Sequence, residues 1–174
     1  MSKVTDILML NNNIPLSIRR ATISDLDALE ELEFDCFDSD RFSRRRWRYL
    51  LQQANAVTLV LDTNSNAHTI GGDEQLLGYA MLLLRMHSQR ALLHSLCVHP
   101  RVQRQGLGAK LLTTCESLAK AKGANMLWLD VHAENSTAQR LYQRHGYYRY
   151  AWEDNVYEDG GAAWRMEKLL SSTT

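Results

Sequence analysis

The chain is short of the residues that mark several large function classes. Three cysteines occur in 174 residues, Cys36, Cys97 and Cys115, and no two of them form a CxxC pair. That spacing suggests neither a zinc site nor a thioredoxin-like motif. An odd, sparse set of thiols fits a reducing cytosol better than secretion. There is no surplus of charge of either sign: Lys+Arg and Asp+Glu both number 20. That balance argues against nucleic acid as a partner, since backbone binding needs excess basic charge. No apolar run approaches the ~20 residues that span a bilayer. The N-terminus, MSKVTDILMLNNN, puts Asp6 and a run of Asn where a signal peptide needs a continuous apolar core. The expectation is a cytoplasmic protein with no membrane partner. His87, His94 and His99 are scattered, and no metal is inferred.

What is present suits a globular enzyme-sized unit. Apolar residues make up 45% and charged residues 23%, and a chain of this length builds one core. We read residues 1–174 as one domain, with a core at about 16–169 and flexible N- and C-terminal tails, SSTT among them. Residues 16–20 form a short strand. Ser24 is placed as a helix N-cap with Asp27 in the capping-box position, and Leu26, Leu29, Leu32, Glu33 and Cys36 recur at helical spacing over 25–36. Ser43 caps a second helix running to about Ala54. Residues 56–61, 76–86 and 91–98 read as strands, with a polar loop over 62–75. The strands 76–86 and 91–98 are joined so closely that they must be antiparallel.

The pattern then changes. Leu107, Leu111, Leu112, Cys115, Leu118 and Ala119 make one apolar helix face, and Gly123 suits its C-terminal cap. Residues 126–131 are a buried strand, Ser136–His145 a helix closed by Gly146, and 147–153 and 162–169 the last strands. The order predicts a mixed α/β (α+β) sheet of about seven strands, mostly antiparallel, with about four helices and one βαβ unit at 91–131.

Val98-His-Pro-Arg-Val-Gln-Arg-Gln-Gly-Leu-Gly-Ala-Lys110 joins a strand to the start of the amphipathic helix. Gly106 and Gly108 remove side chains where the backbone must approach something. A helix start offers unpaired N–H groups and a positive dipole end, so a pyrophosphate is the natural guest. The Walker pattern fails, because no GK[ST] follows. The dinucleotide fingerprint fails too: Leu111 stands where its third glycine belongs, the loop from Val98 to Gly106 is too long, and only 44 residues follow Asp130.

These residues resemble a family. Gln103-Arg-Gln-Gly106-Leu-Gly108 matches the Gln/Arg-x-x-Gly-x-Gly/Ala signature of the GNAT superfamily of N-acetyltransferases. Val98-His-Pro100 resembles the strand end before it. Leu127-Trp-Leu-Asp-Val-His-Ala-Glu-Asn135 and Ala138-x-x-Leu141-Tyr142-x-x-x-Gly146-Tyr147 are similar to the family's second conserved block, and Ile18-Arg-Arg-Ala-Thr-x-x-Asp25 resembles its first strand and helix. The likeness spans about 16–169 and within the family is nearest the bacterial ribosomal-protein alanine N-acetyltransferase branch.

The resemblance implies that strands 91–98 and 126–131 splay into a V. The pantetheine arm of acetyl-CoA, the cosubstrate, would pair with the backbone of Leu96 and Val98, with Cys97 between them. Arg104, Gln105, Gly106, Leu107, Gly108 and Ala109, following Gln103, would hold the pyrophosphate. The Val98 amide would polarise the thioester carbonyl, and Asn135 would touch the cofactor near pantetheine. Tyr142 would be the general acid facing sulfur. Asp130 stands where the branch carries a glutamate and is the candidate base, directly or through a water; His132, two residues on, is the other. The acceptor would be a protein N-terminal amine, a lysine or a small amine, taken up by direct transfer in a ternary complex. The alternative is a catalytically degenerate acyl-CoA-binding regulatory module. Arg41, Arg44, Arg45, Arg46 and Arg48 read as a solvated face on the acceptor side, Cys97 as packing, and Trp128, Trp152 and Trp164 as core or cleft walls. Oligomeric state is not legible.

Overall fold

The computed structural model describes residues 8–9, 15–63 and 76–170. Most of the expected tails, and the polar loop from residue 64 on, lie outside the described residues. In chain order the strands and helices are β1 (Leu8–Met9), β2 (Pro15–Arg20), α1 (Leu26–Cys36), α2 (Arg44–Gln52), β3 (Ala56–Thr63), β4 (Leu76–Leu84), β5 (Arg90–Val98), α3 (Leu107–Ala121), β6 (Met126–His132), α4 (Ser136–Arg144), β7 (Tyr148–Glu153) and β8 (Ala163–Leu169). They build one sheet in the order β1-β2-β3-β4-β5-β6-β8-β7. Every neighbouring pair is antiparallel except β5 and β6, which run parallel across the α3 crossover. The predicted mixed α/β sheet is what forms, with four helices; its eighth strand is the two-residue β1.

Burial follows the layers. β3 and β4 are near-continuous apolar runs, buried along almost their whole length, as strands covered on both faces must be. β6 alternates, with Leu127, Leu129 and Val131 inward. On one face of the sheet α3 sinks Leu111, Leu112, Cys115 and Ala119 completely, and α4 adds Tyr142. Each fully buried leucine there contributes about 1.5–3 kcal/mol. On the other face α1 and α2 bury Leu29, Leu32, Trp47 and Leu50 against Tyr79 and Met81.

Two local expectations are corrected. α1 is not capped by Ser24. The chain enters it through a 3-10 turn at Ile23–Asp25, and the Asp25 carboxylate accepts from the Thr22 N–H at 2.7 Å. Arg19 on β2 grips the same carboxylate at 2.8 Å, which sets the start of the helix from the sheet. Trp152 is no wall: it stands exposed on the edge strand β7, edge-on to Trp164 at 4.8 Å.

The α1/α2 face also holds a buried polar network. Glu33 accepts from the Tyr79 hydroxyl and, at 3.0 Å, from the Phe42 backbone N–H. Tyr79 Oη lies 2.7 Å from Ser95 Oγ on β5. Burial raises the Glu33 carboxyl above its ordinary value, and the two donors offset part of that cost. Tyr79→Phe leaves a sealed carboxyl with one donor fewer. It is expected to cost about 1–3 kcal/mol in urea unfolding; an unchanged midpoint would show that the network does not hold the fold.

Candidate active site

β5 and β6 are partners at only three positions, Arg90↔Met126, Ala91↔Leu127 and Leu92↔Trp128. Beyond them β5 stays with β4 as far as Val98, and β6 stays with β8 as far as His132. The two strands therefore diverge into a V. His99 N–H donates to Leu77 O at 2.8 Å, and in an antiparallel pair the hydrogen-bonded partners recur every second residue. Cys97 and Ser95 accordingly turn their backbone groups to β4, while Leu96 and Val98 turn theirs into the V. An extended amide chain can add there as a strand. Cys97, between Leu96 and Val98, turns its peptide groups to β4, and its thiol packs in the α1/α2 core, where burial raises its pKa well above the usual range.

The glycine loop closes one end of the V. Arg104 (φ 63°) and Gly106 (φ 76°) are both left-handed, and curl the chain before the first turn of α3. Gly106 is needed for that φ; a Cβ there would meet nothing. A Cβ on Gly108 would lie 3.5 Å from Leu141 Cδ2 and 3.8 Å from Val98 Cγ2, so α3, α4 and the end of β5 converge at this glycine. No acidic residue and no side-chain cap occupies the start of α3, and among the described residues nothing accepts from the N–H groups of Leu107, Gly108 and Ala109. Gln105 Oε1 is buried without a partner. Gln103 Nε2 donates back to Val98 O at 3.0 Å, fixing the loop on the strand. A free strand edge leading to unpaired helix-start amides fits an amide-linked arm ending in a pyrophosphate.

Tyr142 points from α4 into the core under the sheet. It is 7% exposed, packs edge-on to Tyr147 at 5.7 Å, and its hydroxyl makes no hydrogen bond with a described residue. Burial first, then Tyr157 and Cys115, push its phenol well above the ordinary value, so it enters any reaction protonated. Asn135 caps α4, its Oδ1 accepting from Ala138 N–H at 3.0 Å; only its amide NH2 is left for a ligand.

The β6 face that carries Asp130 and His132 is crowded with paired groups. Asp130 is gripped by Arg165 through both oxygens, at 2.9 and 3.3 Å, and Arg165 also reaches Glu153 at 3.1 Å. His132 Nδ1 accepts from Glu134 N–H at 3.1 Å, which assigns the proton to Nε2, 3.1 Å from Asp159 Oδ2. The Tyr157 ring lies tilted against His132, centroids 4.8 Å apart. Burial, then Asp130, Asp40 and Asp159, push the Tyr157 phenol up to about 12. The loop before α2 meets the same place: Asp40 Oδ1 accepts from Glu158 N–H at 2.9 Å. Of the five arginines, Arg44 is paired with Asp27 and Glu30, Arg41 lies over the Phe34 ring, and Arg46 faces His94. His94 and Tyr157 carried no motif signal. Only the opposing periodicity of β6, which sends Trp128, Asp130 and His132 to one face, hinted at where partners would gather. His99 is structural, bridging Asp35 at 3.1 Å and capping the Pro100 turn through Arg101 N–H.

Comparison with known proteins agrees with this geometry. The profile of the Acetyltransferase (GNAT) family matches residues 26–147. A Bacillus subtilis protein named as a putative ribosomal protein bS18-alanine N-acetyltransferase is 28% identical over 145 residues, 83% of this chain and 89% of that protein. The ribosomal protein bS18-alanine N-acetyltransferase of Haemophilus ducreyi is 39% identical over 67 residues, 38% of this chain and 46% of that protein. The crystal structure of the ribosomal-protein-S18-alanine N-acetyltransferase from Escherichia coli superposes with a TM-score of 0.77 at 25% identity, covering 91% of this chain and 96% of that one.

Gly161 decides the conformation of the loop over 154–162. A Cβ there would lie 2.2 Å from His132 Nε2 and 2.7 Å from Asp159 Oδ1, an overlap that only displacement relieves. Gly161→Ala is expected to break the His132–Asp159 contact and to expose 154–162 to protease several-fold faster, with global unfolding little changed. Cleavage at the wild-type rate would show that the loop absorbs the methyl group.

Proposed function

The chain belongs to the acetyltransferase (GNAT) family, whose members use acetyl-CoA, and from that membership we propose that it moves an acetyl group from acetyl-CoA to a primary amine, a protein N-terminal amine ahead of a lysine, by direct transfer within one ternary complex. The observation that carries this reading is the divergence of β5 and β6, with the Leu96 and Val98 backbone facing the gap and the N–H groups of Leu107, Gly108 and Ala109 unpaired at its end. The choice of a protein N-terminus rests on the relatives named as bS18-alanine N-acetyltransferases. The chain acts as one domain, through a sheet continuous from β1 to β7.

Leu96 and Val98 bind the pantetheine amides along the strand edge, and the amides from Arg104 to Ala109 take the pyrophosphate, with Gln105 and Gln103 shaping the loop. The Asn135 amide lies beside the arm. Bound acetyl-CoA supplies an activated acyl group and a thiolate leaving group. The Val98 N–H polarises the acyl carbonyl. Asp130, ion-paired with Arg165, accepts a hydrogen bond from the amine, directly or through a water, and sets its approach. Tyr142 gives its phenolic proton to the departing sulfur. Its apolar surroundings keep that proton in place until negative charge develops beside it.

Calorimetric titration tests the cofactor site. Acetyl-CoA should bind, and Gly108→Asp, whose Cβ the structure accommodates, should weaken binding about tenfold or more by setting a carboxylate against the pyrophosphate. A wild type that does not bind acetyl-CoA overturns the reading. Tyr142→Phe should lower turnover about 10²–10⁴-fold with little change in acetyl-CoA affinity. Coenzyme A release with a panel of N-terminal peptides, lysine peptides and small amines separates an enzyme from a binding module.

A further inference from the structure

The amine must lose a proton as its nitrogen bonds to the acyl carbon, and most groups around it are already committed. Asp130 accepts from Arg165 at both oxygens; its remaining lone pairs can still accept from an amine, but taking up the proton would dismantle that ion pair. His132 spends both ring nitrogens on Glu134 and Asp159. Glu33 is sealed under Tyr79 and Phe42.

Among the described residues, the His94 imidazole near the V makes no hydrogen bond. The β4–β5 register steps from Met81↔Ser95 to Leu82↔Leu93, so His94 is the extra residue of a bulge. Bulges re-aim a side chain out of the regular alternation. The His94 ring lies flat on Phe42, centroids 5.3 Å apart and planes at 25°. Phe42 in turn packs edge-on to Trp47 at 5.3 Å and is tied by its backbone to Glu33. The next residue, Ser95, is held by Tyr79. The ring is thus held against Phe42, half-buried, and neither nitrogen is hydrogen-bonded to a described residue. The charged groups that act on it are Arg46 from α2 and Asp130 from β6; the loop before α2 presents the uncharged Phe42 to its ring.

We propose that His94 takes the proton from the attacking amine, with Asp130 across the V holding both the amine and the imidazolium that results. The assignment rests on the acetyl-transfer reading above. The N–C bond forms and the C–S bond breaks; the amine proton goes to His94, the Tyr142 proton goes to sulfur, and water returns a proton from imidazolium to phenolate. The electrostatics agree with a resting base. Burial first and Arg46 second lower the His94 pKa while Asp130 raises it, which keeps the ring neutral and receptive near pH 7 yet lets Asp130 stabilise its charged form.

The test pairs kinetics with NMR on the ligand-free protein. His94→Gln should lower kcat about a hundredfold, leave acetyl-CoA affinity unchanged, and erase the acidic limb of the pH profile of kcat. Arg46→Gln should move that limb to higher pH by removing a cation that disfavours imidazolium. In the ligand-free protein the His94 Cε1–H signal, identified by its loss in His94→Gln, should titrate below the ordinary imidazole range. Its midpoint should rise in Arg46→Gln and fall in Asp130→Asn. A kcat in His94→Gln within about threefold of wild type, an acidic limb that persists there, or a midpoint deaf to both charges overturns the assignment while acetyl transfer stands. A wild type that releases no coenzyme A with any amine removes the acetyl-transfer reading itself, and His94's role with it.

Discussion

The parting of β5 from β6 after Leu92 is the constraint on which the rest of the molecule depends. A strand edge without a partner normally costs the protein hydrogen bonds or invites aggregation. Here it persists because each strand is fully held on its other side, β5 by β4 and β6 by β8. The α3 crossover then closes the far end of the gap with the start of a helix. The same stretch of chain therefore supplies a row of exposed amides and carbonyls and, at its end, a cluster of amides carrying a partial positive charge. An amide-linked, pyrophosphate-bearing cosubstrate matches both in sequence and in sign.

The two faces of the sheet divide the work. The α3/α4 face is apolar and tightly filled, so Tyr142 sits where ionising its phenol is costly. The α1/α2 face carries the charges, but each is tethered: Asp130 to Arg165, His132 to Asp159, Asp40 to the Glu158 backbone, Glu33 to Tyr79. Burying or half-burying polar groups is tolerated only when partners are supplied. Ordering the acceptor side through such pairs leaves few unpartnered side chains, which makes the free imidazole of His94 distinctive. The bulge that frees it also belongs to the strand that lines the gap.

Much of this was legible in the chain. Periodicity placed all four helices and seven strands, because the apolar face of α3 and the unbroken apolar runs of β3 and β4 are the direct imprint of what they bury. Gly123 and Gly146 marked helix ends, and both hold positive φ there. The glycine loop was read from its two glycines and the helix start that follows, and Gly106 does hold a positive φ there. The start of α1 was misplaced at Ser24 because the decisive contact is Arg19 on β2 gripping Asp25, a pairing across the sheet. Trp152 was assigned to a wall because an aromatic in a strand does not reveal that its strand lies at the sheet's edge.

By itself, then, the sequence determined the elements, their order, the crossover and the glycine-bearing helix start. All of these are encoded in residues near one another along the chain, where periodicity, glycine conformation and helix-start amides act locally. The tertiary structure alone decided which titratable groups are spent and which are free. That depends on partners 27 and 35 residues away, as for His132 with Asp159 and Asp130 with Arg165, and on a bulge that turns one histidine out of register. Hydrogen bonds and ion pairs act over a few ångströms of space, whatever the distance along the chain.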